Sequence, residues 1–423
     1  MYPFLNNNTI MALTFQFIFL FLIIFTVMTQ IWLSKRHISH VKHNRTNVPN
    51  VFKSIIKLKD HQKAADYTVA KSKLNIIDLL VQATFLYLLT IGGLINWLNN
   101  YISTLDLNNL ISGSLVIISV MVLSSLIDLP SNLFKIFNID EKFGFNRMTL
   151  KVFILDGIKQ LILSVVIGLP ILFTSLWIIG NLGELWWLWL WVFISFFNFA
   201  MLSLYPVYIA PLFNKFEPLG NASLKNRIEK LLLRCGFKSS GLFVMNGSLR
   251  SNHGNAYFTG FGKSKRIVFF DTLLEKLTPN EIEAVLAHEL GHFHHEHVKK
   301  RIALMFLISF IGLYILGSLK ESIWFYEGLG VYKLNDANAI LLFLLVSPLF
   351  IFFISPIIAY YSRKNEFEAD EYACKFSKSV DLKQSLIKLY RDNASTLTPD
   401  PLHSSFYDSH PPALMRINAI DKL

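Results

Sequence analysis

The chain alternates long apolar runs with short polar stretches, and the runs have membrane length. A helix needs about 20 predominantly apolar residues to cross about 30 Å of hydrocarbon. Seven stretches satisfy this, at 13–33, 76–98, 110–129, 158–178, 185–209, 302–319 and 339–361. The first is too long for a signal-peptide core, and MYPFLNNNTI has no basic leader, so it reads as a retained anchor. The expected fold is an α-helical multi-pass membrane protein with seven transmembrane helices.

Polar residues between the runs set the expected orientation, because short translocated loops are poor in Lys and Arg. The stretch 34–75 is basic from Lys35 to Lys73, whereas the loops after the second and fourth spans, NNYISTLDLNN and GNLGE, carry neither residue. The N-terminus is therefore expected outside, with the C-terminus and the long polar segments cytoplasmic. Four regions follow: five spans in 1–210, a polar segment at 211–301, two spans in 302–361 and a polar tail at 362–423. Each polar segment is too short to build its own core easily, so the two are expected to pack together and onto the spans.

Composition narrows the class. The chain is 53% hydrophobic and 16% charged, with a formal net charge of +11. A chain this apolar must bury much of its surface in membrane lipid, where basic loops face anionic headgroups. No nucleic-acid module is legible, so no nucleic-acid partner is expected. Cys235 and Cys374 lie far apart in segments placed in the cytoplasm, which excludes a disulfide framework and a Cys zinc knuckle.

The chemistry concentrates at 277–297, LTPNEIEAVLAHELGHFHHEH. Thr278 as N-cap, Pro279 in the first turn and Glu281 three residues after the cap predict a helix start. His288 and His292, four apart, share one face of that helix, and Glu289 lies one step around it. HELGH is the HExxH pattern: two neutral imidazoles hold a zinc ion, and the glutamate is base toward its water. The alternative is a helix with polar histidines and no metal. His294, His295 and His297 do not repeat the ligand spacing and read as solvated or supporting residues.

A catalytic zinc takes a third protein ligand and keeps a fourth position open. No histidine follows at HExxHxxGxxH spacing, so the third ligand must come from elsewhere. The seventh span is expected to run without a break into SRKNEFEADEYACKF, with Glu366 and Asp370 four apart on one face. Glu366 completes a His2Glu set, and Asp370 is placed to accept the spare ring N–H of a ligand histidine. Glu368 and Glu371 point elsewhere and read as solvated.

Two further segments flank this set. NAYFTGFGKSKRIVFFD predicts a small β-hairpin, 255–259 with 266–271, about a Gly-rich turn. An edge strand there would bind an extended peptide through Asn255, Ala256 and Tyr257, although the hairpin serves equally as a purely structural element. The tail motif YDSHPP places His410 before Arg416. A histidine there can donate to an oxyanion, but a lone histidine is as well read as structural.

HELGH, the seven spans, SRKNEFEAD and YDSHPP together resemble the type I CAAX prenyl proteases, a family of membrane zinc metallopeptidases. DEKFGFNRMT at 140–149, LYPVYIAPLFNKFEPL at 204–219 and NAYFTGFGKSKRIVFFDTLL at 255–274 carry the resemblance over most of the chain, in the family's order. It implies one zinc on His288, His292 and Glu366, base catalysis by Glu289, support from Asp370, and oxyanion stabilisation by His410 with Arg416 nearby. It implies a large intramembrane chamber, and a peptide or protein substrate prenylated at a C-terminal Cys. The membrane would be the endoplasmic reticulum in a eukaryote or the inner membrane in a bacterium, where quality control of membrane proteins is the alternative activity. A seven-span transporter or receptor with a structural metal site is the more distant alternative.

Overall fold

The computed structural model describes residues 7–259 and 266–423. Six helices among them are long and apolar enough to cross a membrane: Asn7–His43, Leu58–Leu89, Asn109–Asp140, Leu150–Asn181, Gly183–Phe213 and His297–Leu319. Their outward residues include Phe17, Phe21, Leu161 and Phe196. Such apolar surface is stable against lipid, where a helix satisfies its backbone polar groups internally.

The seventh span differs from the unbroken helix expected. It is two helices, Asp336–Phe352 and Ser355–Phe376, bent by 64°. Pro356 stands in the first turn of the second helix, where it has no N–H to offer the carbonyl of Phe352, so one helix ends and another begins. The second helix then runs through the acidic motif to Phe376 without interruption.

The basic stretch 34–75 is mostly helical. The first helix continues to His43 and the second starts at Leu58, so both extend beyond their apolar runs. The second helix stops at Leu89, short of the expected 98, and Gly93 in the left-handed region (φ +80°) starts the separate helix Leu94–Ser103.

The predicted hairpin strands are half of a sheet. Strands β1 (Phe216–Pro218), β2 (Leu242–Met245), β3 (Ala256–Thr259) and β4 (Arg266–Phe270) lie in the order β1-β2-β4-β3. β2 and β4 run parallel, the other pairs antiparallel, and β3 is an edge strand. The Gly-rich turn between β3 and β4 falls outside the described residues.

One apolar core joins the sheet to the helices around it. Leu231, Ile267 and Phe269 meet Ile282, Leu286 and Leu290, and the tail adds Leu382, Ile387 and Ile417. The two polar segments therefore fold as one lobe, as their lengths required. Val48, Phe52 and Ile56 from the basic stretch belong to the same core. A second core, around Leu89, Ile95, Leu176, Leu316, Tyr326 and Leu342, ties the spans together near the loops away from the lobe.

Candidate active site

The helix Pro279–His294 begins at the predicted capping box. The Thr278 hydroxyl accepts from the Glu281 N–H, and the Glu281 carboxylate accepts from the Thr278 N–H at 2.7 Å. Lys388 also donates to Glu281, at 2.8 Å. Ile282, Leu286 and Leu290 sink into the lobe core, and this fixes which face carries the histidines.

That face meets the helix Ser355–Phe376 at Gly291. A Cβ on Gly291 would lie 2.9 Å from Ala369 Cα and 3.0 Å from the Ala369 carbonyl oxygen, so the backbones touch where a side chain would hold them apart. The close crossing brings a carboxylate to the histidines.

His288 Nε2 and His292 Nε2 stand 3.3 Å apart, and the Glu366 carboxylate lies 3.3 Å from His292 Nε2 and 3.6 Å from His288 Nε2. Tetrahedral ligands at about 2.0–2.1 Å from a zinc ion stand about 3.3 Å from one another. These three side chains are therefore spaced to hold one metal ion. Glu366 Oε2 supports the fit: it is buried and, among the described residues, makes no well-directed hydrogen bond, although His410 Nδ1 lies 2.7 Å and Arg416 Nη1 3.4 Å away.

Behind the trio, His288 Nδ1 is 2.8 Å from Asp370 Oδ1. Arg416 donates to both oxygens of that carboxylate, Nε to Oδ2 at 2.8 Å and Nη2 to Oδ1 at 2.6 Å, and the pair is buried. A buried carboxylate needs this neutralisation. Burial opposes a charge on His288, but hydrogen bonds to Asp370 and Glu366 prevail, and its pKa is pushed up to about 9. Arg416 sits beside the ligands and braces Asp370.

On the open side lies a cavity of about 370 Å³, lined by Asn255, Ala256, Val285, His288, Glu289, Leu386, Asn393 and His410 among others. Glu289 is half-buried in this wall. His410 is exposed for 62% of its side chain, and the Arg363 guanidinium, on the Glu366 helix, holds the turn before it by donating to the carbonyls of Ser404 and Asp408. Alternation along β3 separates Ala256 from Tyr257. Asn255 and Ala256 border the cavity, whereas the Tyr257 side chain lies in a separate pocket with Tyr205, Phe216 and Phe243. Tyr257 can offer an extended peptide only its backbone.

One pair of polar contacts fits the supporting role left open for His297 and corrects the solvated reading of Glu368. His297 is buried, with Nδ1 3.0 Å from His292 Nδ1 and Nε2 3.0 Å from Glu368 Oε2, so Glu368 is not merely solvated. A spacing of five does not fit one helix face. It works because Glu296, left-handed at φ +56°, ends one helix and starts another at His297. The acidic motif offered a signal only in its three carboxylates within five residues.

The chain is similar to known proteins over most of its length. Residues 37–215 match the model of the CAAX prenyl protease N-terminal region with five membrane helices, and residues 218–423 match peptidase family M48. A CAAX prenyl protease 1 homolog of Arabidopsis thaliana is 34% identical, covering 88% of this chain and 90% of its own. CAAX prenyl protease 1 of Saccharomyces cerevisiae is 37% identical over 71% of this chain and 70% of its own. The crystal structure of S. mikatae Ste24p superposes with a TM-score of 0.89 at 31% identity, covering 96% of this chain and 99% of that one. The chain thus belongs to peptidase family M48, in its type I CAAX prenyl protease branch, and is a multi-pass membrane metallopeptidase.

Proposed function

We propose that the protein is a zinc endopeptidase that cuts near the C-terminus of proteins or peptides prenylated at a C-terminal CAAX cysteine. The observation that carries this is the meeting of His288, His292 and Glu366 at one metal's spacing, beside a cavity that Glu289 borders. The similarity to CAAX prenyl protease 1 homologs supports the substrate class.

Zinc bound there would supply Lewis-acid polarisation and would lower the pKa of a water toward neutrality. Glu289 accepts the proton of the attacking water at a carboxylate oxygen and passes it to the leaving nitrogen. His410, at the rim, donates a hydrogen bond to the developing oxyanion. Asp370, braced by Arg416, holds His288 with its proton on Nδ1 and its Nε2 lone pair toward the metal. The backbone of 255–257 pairs with the extended substrate, as an edge strand does. The lysine and arginine pattern supports a cytoplasmic site with the N-terminus outside, in the endoplasmic reticulum membrane of a eukaryote or the inner membrane of a bacterium. Two separate buried cores, one at the lobe and one near the far loops, suit an enclosed chamber between them.

The test uses detergent-purified full-length protein, a farnesylated CAAX peptide and its unmodified twin, each with and without a zinc chelator. The expected result is cleavage of the farnesylated peptide that chelator abolishes and zinc restores. Chelator-resistant cleavage would overturn the metal chemistry. Equal turnover of the two peptides would overturn prenyl specificity and favour membrane-protein quality control.

A further inference from the structure

His288 and His292 are held differently at their outer ring nitrogens. Asp370 takes the outer nitrogen of His288 directly, whereas the outer nitrogen of His292 meets another imidazole, His297, which in turn meets Glu368. Both contacts in this second chain are 3.0 Å. We propose that His297 and Glu368 are positioning residues that fix the tautomer and ring orientation of His292 for metal binding. This rests on the metal-site reading above.

A neutral imidazole has one N–H and one lone pair, so two ring nitrogens at hydrogen-bond distance need one donor and one acceptor. An ionised carboxylate only accepts. Glu368 therefore requires the His297 proton on Nε2, which leaves a lone pair on His297 Nδ1. That lone pair requires the His292 proton on Nδ1, and the lone pair of His292 Nε2 then faces Glu366 and His288. Any other arrangement of neutral rings sets two lone pairs against each other. One carboxylate orders the whole chain.

The surroundings hold this arrangement in place. The turn at Glu296 makes His297 the first residue of the next helix, and its ring stacks on His295 with centroids 5.5 Å apart. His297 is buried, while the Glu368 side chain is 35% exposed and has Lys364 4.0 Å away. Glu368 can thus be changed with little effect on the core.

The experiment measures zinc affinity by chelator competition on stripped, full-length protein in detergent, for wild type, Glu368→Ala, His297→Leu, the double variant and His297→Gln. Removing such supporting partners costs about 10–100-fold in metal affinity. His297→Leu should weaken zinc binding within that range, and Glu368→Ala should weaken it measurably. The double variant should be no weaker than His297→Leu, because Glu368 acts only through His297. His297→Gln, whose amide can accept from His292 and donate to Glu368, should recover affinity. Unchanged affinity in Glu368→Ala, or losses that multiply in the double variant, would overturn the proposal. Should His297→Leu fail to fold, Glu368→Ala and His297→Gln decide it alone. Wild-type protein without zinc affinity would instead sink the metallopeptidase reading itself.

Discussion

At the scale of single residues, the proposed mechanism separates metal holding from proton handling. Glu289 is on the HELGH helix but outside the ligand trio, so the two roles can be cut apart. Glu289→Gln is expected to retain one zinc per chain and lose about 10²–10⁴-fold in kcat, the usual contribution of a positioned acid–base group; zinc content and single-turnover cleavage check it together. His288 gives a pH prediction. Its pKa without metal is raised from 6.5 to about 9, so at neutral pH the metal-free protein carries a proton there that zinc must displace. Zinc affinity should rise with pH up to about 9, and calorimetry in buffers of different ionisation enthalpy should record proton release at pH 7. The sign for folding is the reverse. A group whose pKa is raised in the folded state stabilises fully below its unfolded value. The metal-free protein should therefore lose that stabilisation as pH climbs from 6.5 through 9, visible as falling urea midpoints.

At the scale of elements, the decisive feature is the crossing of the Pro279–His294 and Ser355–Phe376 helices. Alanine normally improves a helix over glycine by about 1 kcal/mol. At Gly291 the added Cβ would press on the backbone of Ala369, which cannot rotate away, and overpacking costs about 1–3 kcal/mol. Gly291→Ala is expected to lower both thermal stability and zinc occupancy by separating Glu366 from the histidines. A stable, fully loaded variant would contradict the close crossing. The capping box was legible because its partners are three residues apart and their bonds are local. The break at Ile354 was obscured by uniform apolarity on either side, though Pro356 marked it. β1 and β2 leave no hairpin signal, because β1 has only three residues and β2 pairs in parallel with the distant β4.

At the scale of the whole molecule, the first helix reaches the tail that carries His410. Arg36 donates to both oxygens of Asp400, at 3.0 and 2.9 Å, and His37 stacks on His403 with ring centroids 4.0 Å apart. Asp400 caps the helix Pro401–Tyr407, which leads to His410. Arg36→Ala should therefore reduce kcat/KM while leaving zinc content unchanged, measured on the same preparation; loss of zinc would show that the tail supports the ligands as well. The amino-acid sequence by itself determined the existence of six spans, the capped helix and the paired histidines, because apolar run length and spacings of three and four are properties of one continuous helix. It also pointed to Glu366 and Asp370 as a pair on one face. Only the tertiary structure decided which carboxylate meets which imidazole, that Arg416 neutralises Asp370, that His297 links His292 to Glu368, and that the basic stretch helps build the lobe core. Those partners lie far apart in the chain or across the helix break at Glu296, and no local periodicity can encode a contact that exists only after two helices have packed.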